Sequence, residues 1–108
     1  MIEAILDADL PSLLVQNLER LDEVNDADRN GVYYSLSILE SLASQTMTAE
    51  KVAEASPILK WLLQRARRKE PKVSQNKQYA AEVLAIFLQS STKNRSAALA
   101  LDLSLIHI

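Results

Sequence analysis

Side chains that could carry out chemistry are few in this chain of 108 residues. His107 is the single histidine, and there is no cysteine. A disulfide, a cysteine nucleophile and a cysteine-ligated zinc site are therefore excluded, and a metal site at His107 would need carboxylates as its other ligands. The only glycine, Gly31, excludes a glycine-rich phosphate loop. We predict that the chain is not an enzyme and has no catalytic residue, metal site, cofactor or small-molecule substrate.

Neighbouring carboxylates are the remaining candidates for acid–base chemistry. They form three pairs, Asp7 with Asp9, Asp22 with Glu23, and Asp26 with Asp28. Acid–base catalysis needs two carboxyl groups that face one cleft and differ in pKa. These pairs lie in turns and at predicted helix starts, where acids cap the helix and oppose its dipole. We interpret them as capping residues, with an acidic patch for a basic peptide as the alternative.

A basic run is the sharpest candidate for a functional surface. Its members are Arg65, Arg67, Arg68, Lys69 and Lys72. The run could bind the phosphates of RNA, bind an acidic partner or act as a nuclear-import signal, or it could be the solvated end of a helix. RNA binding also needs exposed aromatic rings for the bases. All five aromatic residues fall in or beside apolar helical stripes, so we expect direct nucleic acid binding to be absent.

The two halves of the chain carry opposite charge. Residues 1–54 contain eleven acidic and three basic residues, a net charge of −8. Residues 55–108 contain three acidic and nine basic residues, a net charge of +6. Such an asymmetry can mark partner surfaces of opposite sign, or it can arise because neighbouring helices pair across it. The sequence leaves both interpretations open.

Apolar residues recur every three or four positions, the spacing of one helical face. The pattern predicts six helices, over about residues 10–21, 26–43, 49–55, 57–69, 76–90 and 94–101. The helix over 76–90 is apolar almost all round, so we expect it to be buried on most sides. The predicted connections are short and no segment has the pattern of a strand. An all-α bundle or α-solenoid follows from this pattern.

Capping residues set the expected helix ends. Asp9 is the predicted N-cap of the first helix, and Asn25 or Asp26 of the second. Ser56 before Pro57 predicts a start, and Pro71 a stop. Capping is also the expected role of Asn76 and Asn94. Asn17 lies near an apolar face and needs a hydrogen-bond partner, and Trp61, set among apolar residues, is expected in the core.

Several blocks of sequence resemble the beta-catenin-like family of nuclear armadillo-repeat proteins. They are Leu14-Val-Gln-Asn-Leu-Glu-Arg-Leu-Asp-Glu23, the segment from Asp28 to Leu42, Leu59-Lys-Trp-Leu-Leu-Gln-Arg65, Asn76-Lys77, Glu82-Val-Leu-Ala-Ile-Phe-Leu-Gln89 and Asn94-Arg95. The resemblance covers roughly residues 1–101. It implies an N-terminal armadillo-like domain with capping helices and three-helix repeats. It also implies a nuclear protein that binds basic, nuclear-localisation-type segments of partners and associates with the pre-mRNA splicing machinery.

The end of the chain departs from the family. Residues 103–108 read Leu-Ser-Leu-Ile-His-Ile, which a common sequencing-library adapter encodes in frame. We therefore expect 102–108 to be a non-native tail on a truncated chain. No stretch approaches the roughly 20 apolar residues of a membrane span, and the acidic N-terminus is unlike a signal peptide. The sequence thus predicts an intracellular scaffold segment for protein partners. The alternatives are an RNA-binding module and a purely structural cap.

Overall fold

A computed structural model describes residues 10–72 and 74–106. Its helices follow in the predicted order, and the described residues include no strand. The helices are α1 (Leu10–Arg20), α2 (Asp26–Ala43), α3 (Thr46–Ala55), α4 (Ile58–Arg67), α5 (Gln75–Ser90) and α6 (Thr92–Ile106). The predicted all-α class is confirmed. In this part of the chain no helix is long and apolar enough to span a membrane.

Most helix starts use side chains next to the helix in sequence. Asn25 caps α2, because its side chain accepts a hydrogen bond from the backbone N–H of Asp28. The predicted cap Asp9 lies outside the described residues. The predicted cap Ser56 is wrong, because its hydroxyl donates to the Val52 carbonyl at 2.7 Å and so completes α3. Pro57 takes the N-cap position of α4 instead.

Helix α5 lies at the centre of the described fold and contacts α2, α3, α4 and α6. Its inner face is Ala80, Val83 and Phe87, all fully buried. Trp61 is half-buried and packs against the same core. The prediction that α5 is buried on most sides holds only in part, because its buried residues form one face, Leu84 and Leu88 are half-buried, and Ala81 is exposed.

Helices α2 and α5, three helices apart along the chain, pack in parallel. Near the start of both α2 and α5, Asn76 Nδ2 donates to the Arg29 carbonyl at 3.1 Å. Near their ends, Ser90 Oγ donates to the Ala43 carbonyl at 2.7 Å. Helices α3 and α6 also contact each other. A period of three helices is the arrangement that stacked three-helix repeats require, and it fits an armadillo-like fold.

Asn76 and Asn94 are buried and form hydrogen bonds between helices, so their predicted capping roles are wrong. Asn94 Nδ2 donates to the carbonyls of Ala49 and Phe87, at 3.3 and 3.2 Å. The serines just before these helices are the caps: Ser74 Oγ accepts from the Lys77 N–H at 3.1 Å. Asn17 does find a partner, since its side-chain oxygen accepts from Arg20 Nη2 at 2.6 Å.

Helix α6 begins earlier and ends later than the predicted 94–101, and it continues to Ile106. His107 lies outside the described residues. The non-native origin of residues 102–108 stays a prediction.

Candidate partner-binding surfaces

Arg65 is buried, with 2% of its surface exposed, so its predicted place on a partner-binding surface is wrong. It lies in the last turn of α4 and faces the connection between α1 and α2. There Arg65 Nε and Nη2 donate to the two carboxylate oxygens of Glu23, at 2.8 and 2.9 Å. A bidentate arginine–carboxylate pair is among the strongest hydrogen-bonded contacts in proteins. The predicted capping role of Glu23 is therefore also wrong.

Three further side chains complete what we call the Glu23–Arg65 hub: Glu70, Ser74 and Asn76. Arg65 Nη1 lies 2.8 Å from Glu70 Oε1, and Arg65 Nη2 donates to Ser74 Oγ at 3.1 Å. Asn76 Nδ2 donates to Glu23 Oε1 at 3.0 Å. The hub thus joins the α1–α2 connection, the end of α4, the α4–α5 connection and the start of α5.

The hub also sets the protonation of its acids. Burial alone would raise the pKa of Glu23. Hydrogen bonds from Arg65 and Asn76, together with the charges of Arg65 and Arg68, hold that pKa below its usual value instead. The pKa of Glu70 is also lowered, since hydrogen bonds from Ser74 and the charge of Arg65 outweigh its burial. Both groups are therefore charged at neutral pH.

The other four members of the basic run remain exposed, and we call them the basic loop: Arg67, Arg68, Lys69 and Lys72. Helix α4 ends at Arg67, and Arg68 has left the helical conformation, with φ −59° and ψ 130°. Arg68 Nη1 lies 3.6 Å from Glu23 Oε2, and Lys77 Nζ donates to the Arg68 carbonyl at 2.6 Å. Arg68 thus lies against the hub, and the basic run divides into one buried residue and four exposed residues.

A groove of opposite character lies between α2 and α5, and we call it the tyrosine groove. It consists of two adjoining depressions of about 690 and 400 Å³ that share Tyr33 and Gln75. The larger is also lined by Glu23, Asp26, Arg29, Asn30, Tyr34, Ser74 and Asn76, and the smaller by Glu40, Gln78, Tyr79 and Glu82. Of the four carboxylates in the lining, Glu23 is paired with Arg65 and Asp26 with Arg29. Glu40 and Glu82 line the smaller depression, and their charge makes the groove favour cations.

Tyr79 organises the smaller depression. Its hydroxyl donates to Glu40 Oε1 at 2.7 Å. Burial and the neighbouring Glu40 raise the pKa of Tyr79, so the hydroxyl keeps its proton at neutral pH. The Tyr33 ring lies between its neighbours, with its centroid 5.3 Å from that of Tyr79 and 5.7 Å from that of Tyr34. The groove therefore has fixed aromatic and carboxylate groups side by side.

The sequence did not predict this groove, because the tyrosines fall in or beside apolar helical stripes. Tyr33 and Tyr34 are in fact exposed. The acidic Asp26 does lie at the start of α2, as expected, and it pairs with Arg29. Of the described residues in the carboxylate pairs that could form an acidic patch, only Glu23 and Asp26 line the groove, so that alternative stays a prediction. Within the described residues, no three acids, histidines or cysteines cluster in a way that could hold a metal ion.

The chain is similar in sequence to proteins of one known family. Residues 1–106 match a family model described as "Catenin-beta-like, Arm-motif containing nuclear". The chain is 42% identical over 95 residues to Beta-catenin-like protein 1 of Mus musculus, and 41% identical to that of Homo sapiens. It is 38% identical over 92 residues to the Beta-catenin-like protein 1 homolog of Schizosaccharomyces pombe.

These alignments cover 88% of the chain for the two mammalian proteins and 84% for the yeast protein. They cover only 17% and 16% of the relatives themselves, so the chain spans less than a fifth of their length. No solved structure matches the chain.

Proposed function

The chain belongs to the catenin-beta-like, Arm-motif-containing nuclear family, and from this premise we propose that it is a non-enzymatic protein-interaction segment of a nuclear scaffold associated with pre-mRNA splicing. Its partners are other proteins, and they bind through charged helical surfaces. Basic, nuclear-localisation-type segments are the partners that the family resemblance implies. Charge decides where on this chain such a segment would bind.

The tyrosine groove is the observation that carries the proposal. A basic segment would be repelled by the basic loop and attracted by the carboxylates of Glu40 and Glu82. The groove is concave, and its α2 and α5 walls are held in parallel by hydrogen bonds near both ends. Exposed amides at Asn30, Gln75 and Gln78 add donors and acceptors that an extended backbone needs.

The basic loop is proposed as a second partner surface, of opposite sign. Arg67, Arg68, Lys69 and Lys72 are exposed, and the hub holds both ends of the segment that carries them. Clustered cations on a segment held at Glu70 and Ser74 favour an acidic partner segment, because less backbone entropy is lost on binding. A scaffold with one acidic and one basic face could hold two partners at once.

Binding of a labelled ten-residue peptide of alternating alanine and lysine, followed by fluorescence anisotropy, tests the proposed function. Glu82→Lys should weaken binding about threefold or more, because one attractive charge becomes repulsive. Glu54→Lys is the matched control: it makes the same change on exposed α3, outside the groove, and should have a smaller effect. No binding of the peptide to the wild-type chain would refute the proposed groove function.

Two other functions predict different results. An RNA-binding module would lose RNA affinity steeply with salt, and Arg67→Glu with Arg68→Glu would abolish that affinity. A purely structural cap would be dispensable for partners. Capture of the same partners by a longer family protein that lacks the region equivalent to residues 1–101 would support that role.

A further inference from the structure

We propose that the tyrosine groove prefers arginine to lysine, so that the partner segment it accepts is arginine-bearing. This inference rests on the proposed function, since it specifies the cation that the groove recognises. It follows from three features of the groove: the open ring faces, the fixed carboxylate and the spacing of the rings.

The rings offer faces for stacking rather than an enclosure. Tyr34 is 65% exposed and Tyr33 is 37% exposed. The planes of these two rings meet at 75°, and those of Tyr33 and Tyr79 at 44°. At centroid separations of 5.3 and 5.7 Å the rings pack against one another. A cation therefore has no space between two ring faces and must stack on an outer face.

Stacking on one open face favours a guanidinium over an ammonium. The guanidinium is planar and weakly hydrated, so it can lie flat on a ring with little loss of hydration. The lysine ammonium is compact and strongly hydrated, and on an open face it keeps most of its water. A closed aromatic cage would reduce this difference, but the ring spacing here excludes one.

The carboxylates reinforce the preference. Glu40 accepts the Tyr79 hydroxyl through Oε1, which fixes the carboxylate while Oε2 can still accept further hydrogen bonds. Glu82 lies one turn after Tyr79 on α5 and lines the same depression. A guanidinium has five N–H donors in a planar fork, so it can stack on a ring and bond a carboxylate at the same time. A lysine ammonium can bond the carboxylate but cannot lie flat on the ring, so its affinity for the groove increases less.

Three peptides of equal length test the proposal against the 108-residue chain by isothermal titration calorimetry. They alternate alanine with arginine, with lysine or with citrulline, which keeps the planar shape of arginine without its charge. We expect the arginine peptide to bind about five- to tenfold more tightly than the lysine peptide, and the citrulline peptide to bind most weakly. Equal binding of arginine and lysine peptides would overturn the preference and leave the proposed function intact. No binding of either peptide would overturn both.

A pair of variants at Tyr33, the ring that lines both depressions, tests the mechanism. Tyr33→Leu removes a ring that shares the smaller depression with Glu40 and Glu82, and it should bring arginine binding close to the lysine value, with little change for lysine. Tyr33→Phe keeps the ring and should keep the preference. Lys69→Gln, on the basic loop, should leave the ratio of the two affinities unchanged. An undiminished preference in a folded Tyr33→Leu chain, as judged by circular dichroism, would contradict recognition by stacking.

Discussion

Arg65 binds both carboxylate oxygens of Glu23 across 42 positions of sequence, at 2.8 and 2.9 Å. The pair closes the α1–α2 connection onto the end of α4. Glu70 binds Arg65, and Asn76 binds Glu23. The pair therefore fixes the relative placement of four segments. The tyrosine groove and the basic loop both border this hub, so we expect the shape of both proposed surfaces to depend on it.

Removal of the buried cation should be costly. Arg65→Ala leaves Glu23 and Glu70 without their counter-charge, and we expect the free energy of unfolding to fall by about 3 kcal/mol or more. Urea denaturation followed by circular dichroism measures the change. Lys72→Ala, at an exposed position, should stay within about 0.5 kcal/mol. Similar small losses in both variants would show that the hub does not stabilise the fold.

Acid should weaken the hub in a defined direction. The pKa of Glu23 is lower in the folded chain than the ordinary glutamate value of about 4.3, so the unfolded chain binds more protons in this range. The stabilisation by Glu23 is therefore present above about pH 4.3 and is lost as the pH falls through the folded pKa. Urea titrations between pH 3 and 7 should show a flatter stability profile for Glu23→Gln than for wild type. An unchanged slope would contradict the assignment.

Asn94 is expected to stabilise the contacts of α6 with α3 and α5. Asn94→Ala leaves the buried carbonyls of Ala49 and Phe87 without this donor, which should cost about 1–3 kcal/mol. Thermal and urea unfolding both report the loss. The exposed Asn30→Ala is the matched control, with an expected change within about 0.5 kcal/mol. Equal stability of the two variants would argue against this stabilising role of Asn94.

Gly31 lies inside α2, where alanine would favour the helix by about 1 kcal/mol. An added Cβ would lie 3.1 Å from Leu21 Cδ1. Leu21 is half-buried and follows the end of α1, so its side chain can shift by a few tenths of an ångström. We expect Gly31→Ala to raise the free energy of unfolding by about 0.5 kcal/mol. In a Leu21→Ala background the gain should approach about 1 kcal/mol, and a loss in that background would refute the steric explanation.

The helices could be predicted because their signals are local: the period of 3.6 residues and the residues at the caps are both read within a few positions. The hub could not, because Glu23 is distant in sequence from the other members at residues 65–76, and charged residues usually lie on the surface. One signal was available. Arg65 falls on the apolar stripe of Ile58 and Leu62, as Asn76 does on that of Ala80 and Val83. A polar residue on a buried stripe predicts a buried partner, although not which one.

The tyrosine groove could be predicted only in part, because its residues also come from distant parts of the sequence. Tyr33 and Tyr79 are far apart in sequence, and only the parallel packing of α2 on α5 places their rings 5.3 Å apart. Aromatic residues within apolar stripes usually lie in the core. Here they lie at the edge of the α2–α5 contact, where one side of the ring packs and the other faces solvent.

Mapping of backbone amide shifts in the isotope-labelled chain, on addition of the alternating alanine–arginine peptide, tests the central claim most directly. We predict that the perturbed amides cluster on one face of α2 between residues 26 and 40 and at the start of α5 between residues 75 and 82, with residues 67–72 least affected. Perturbation centred on residues 67–72, or spread evenly over the surface, would contradict the assignment of the groove as the site for basic partner segments.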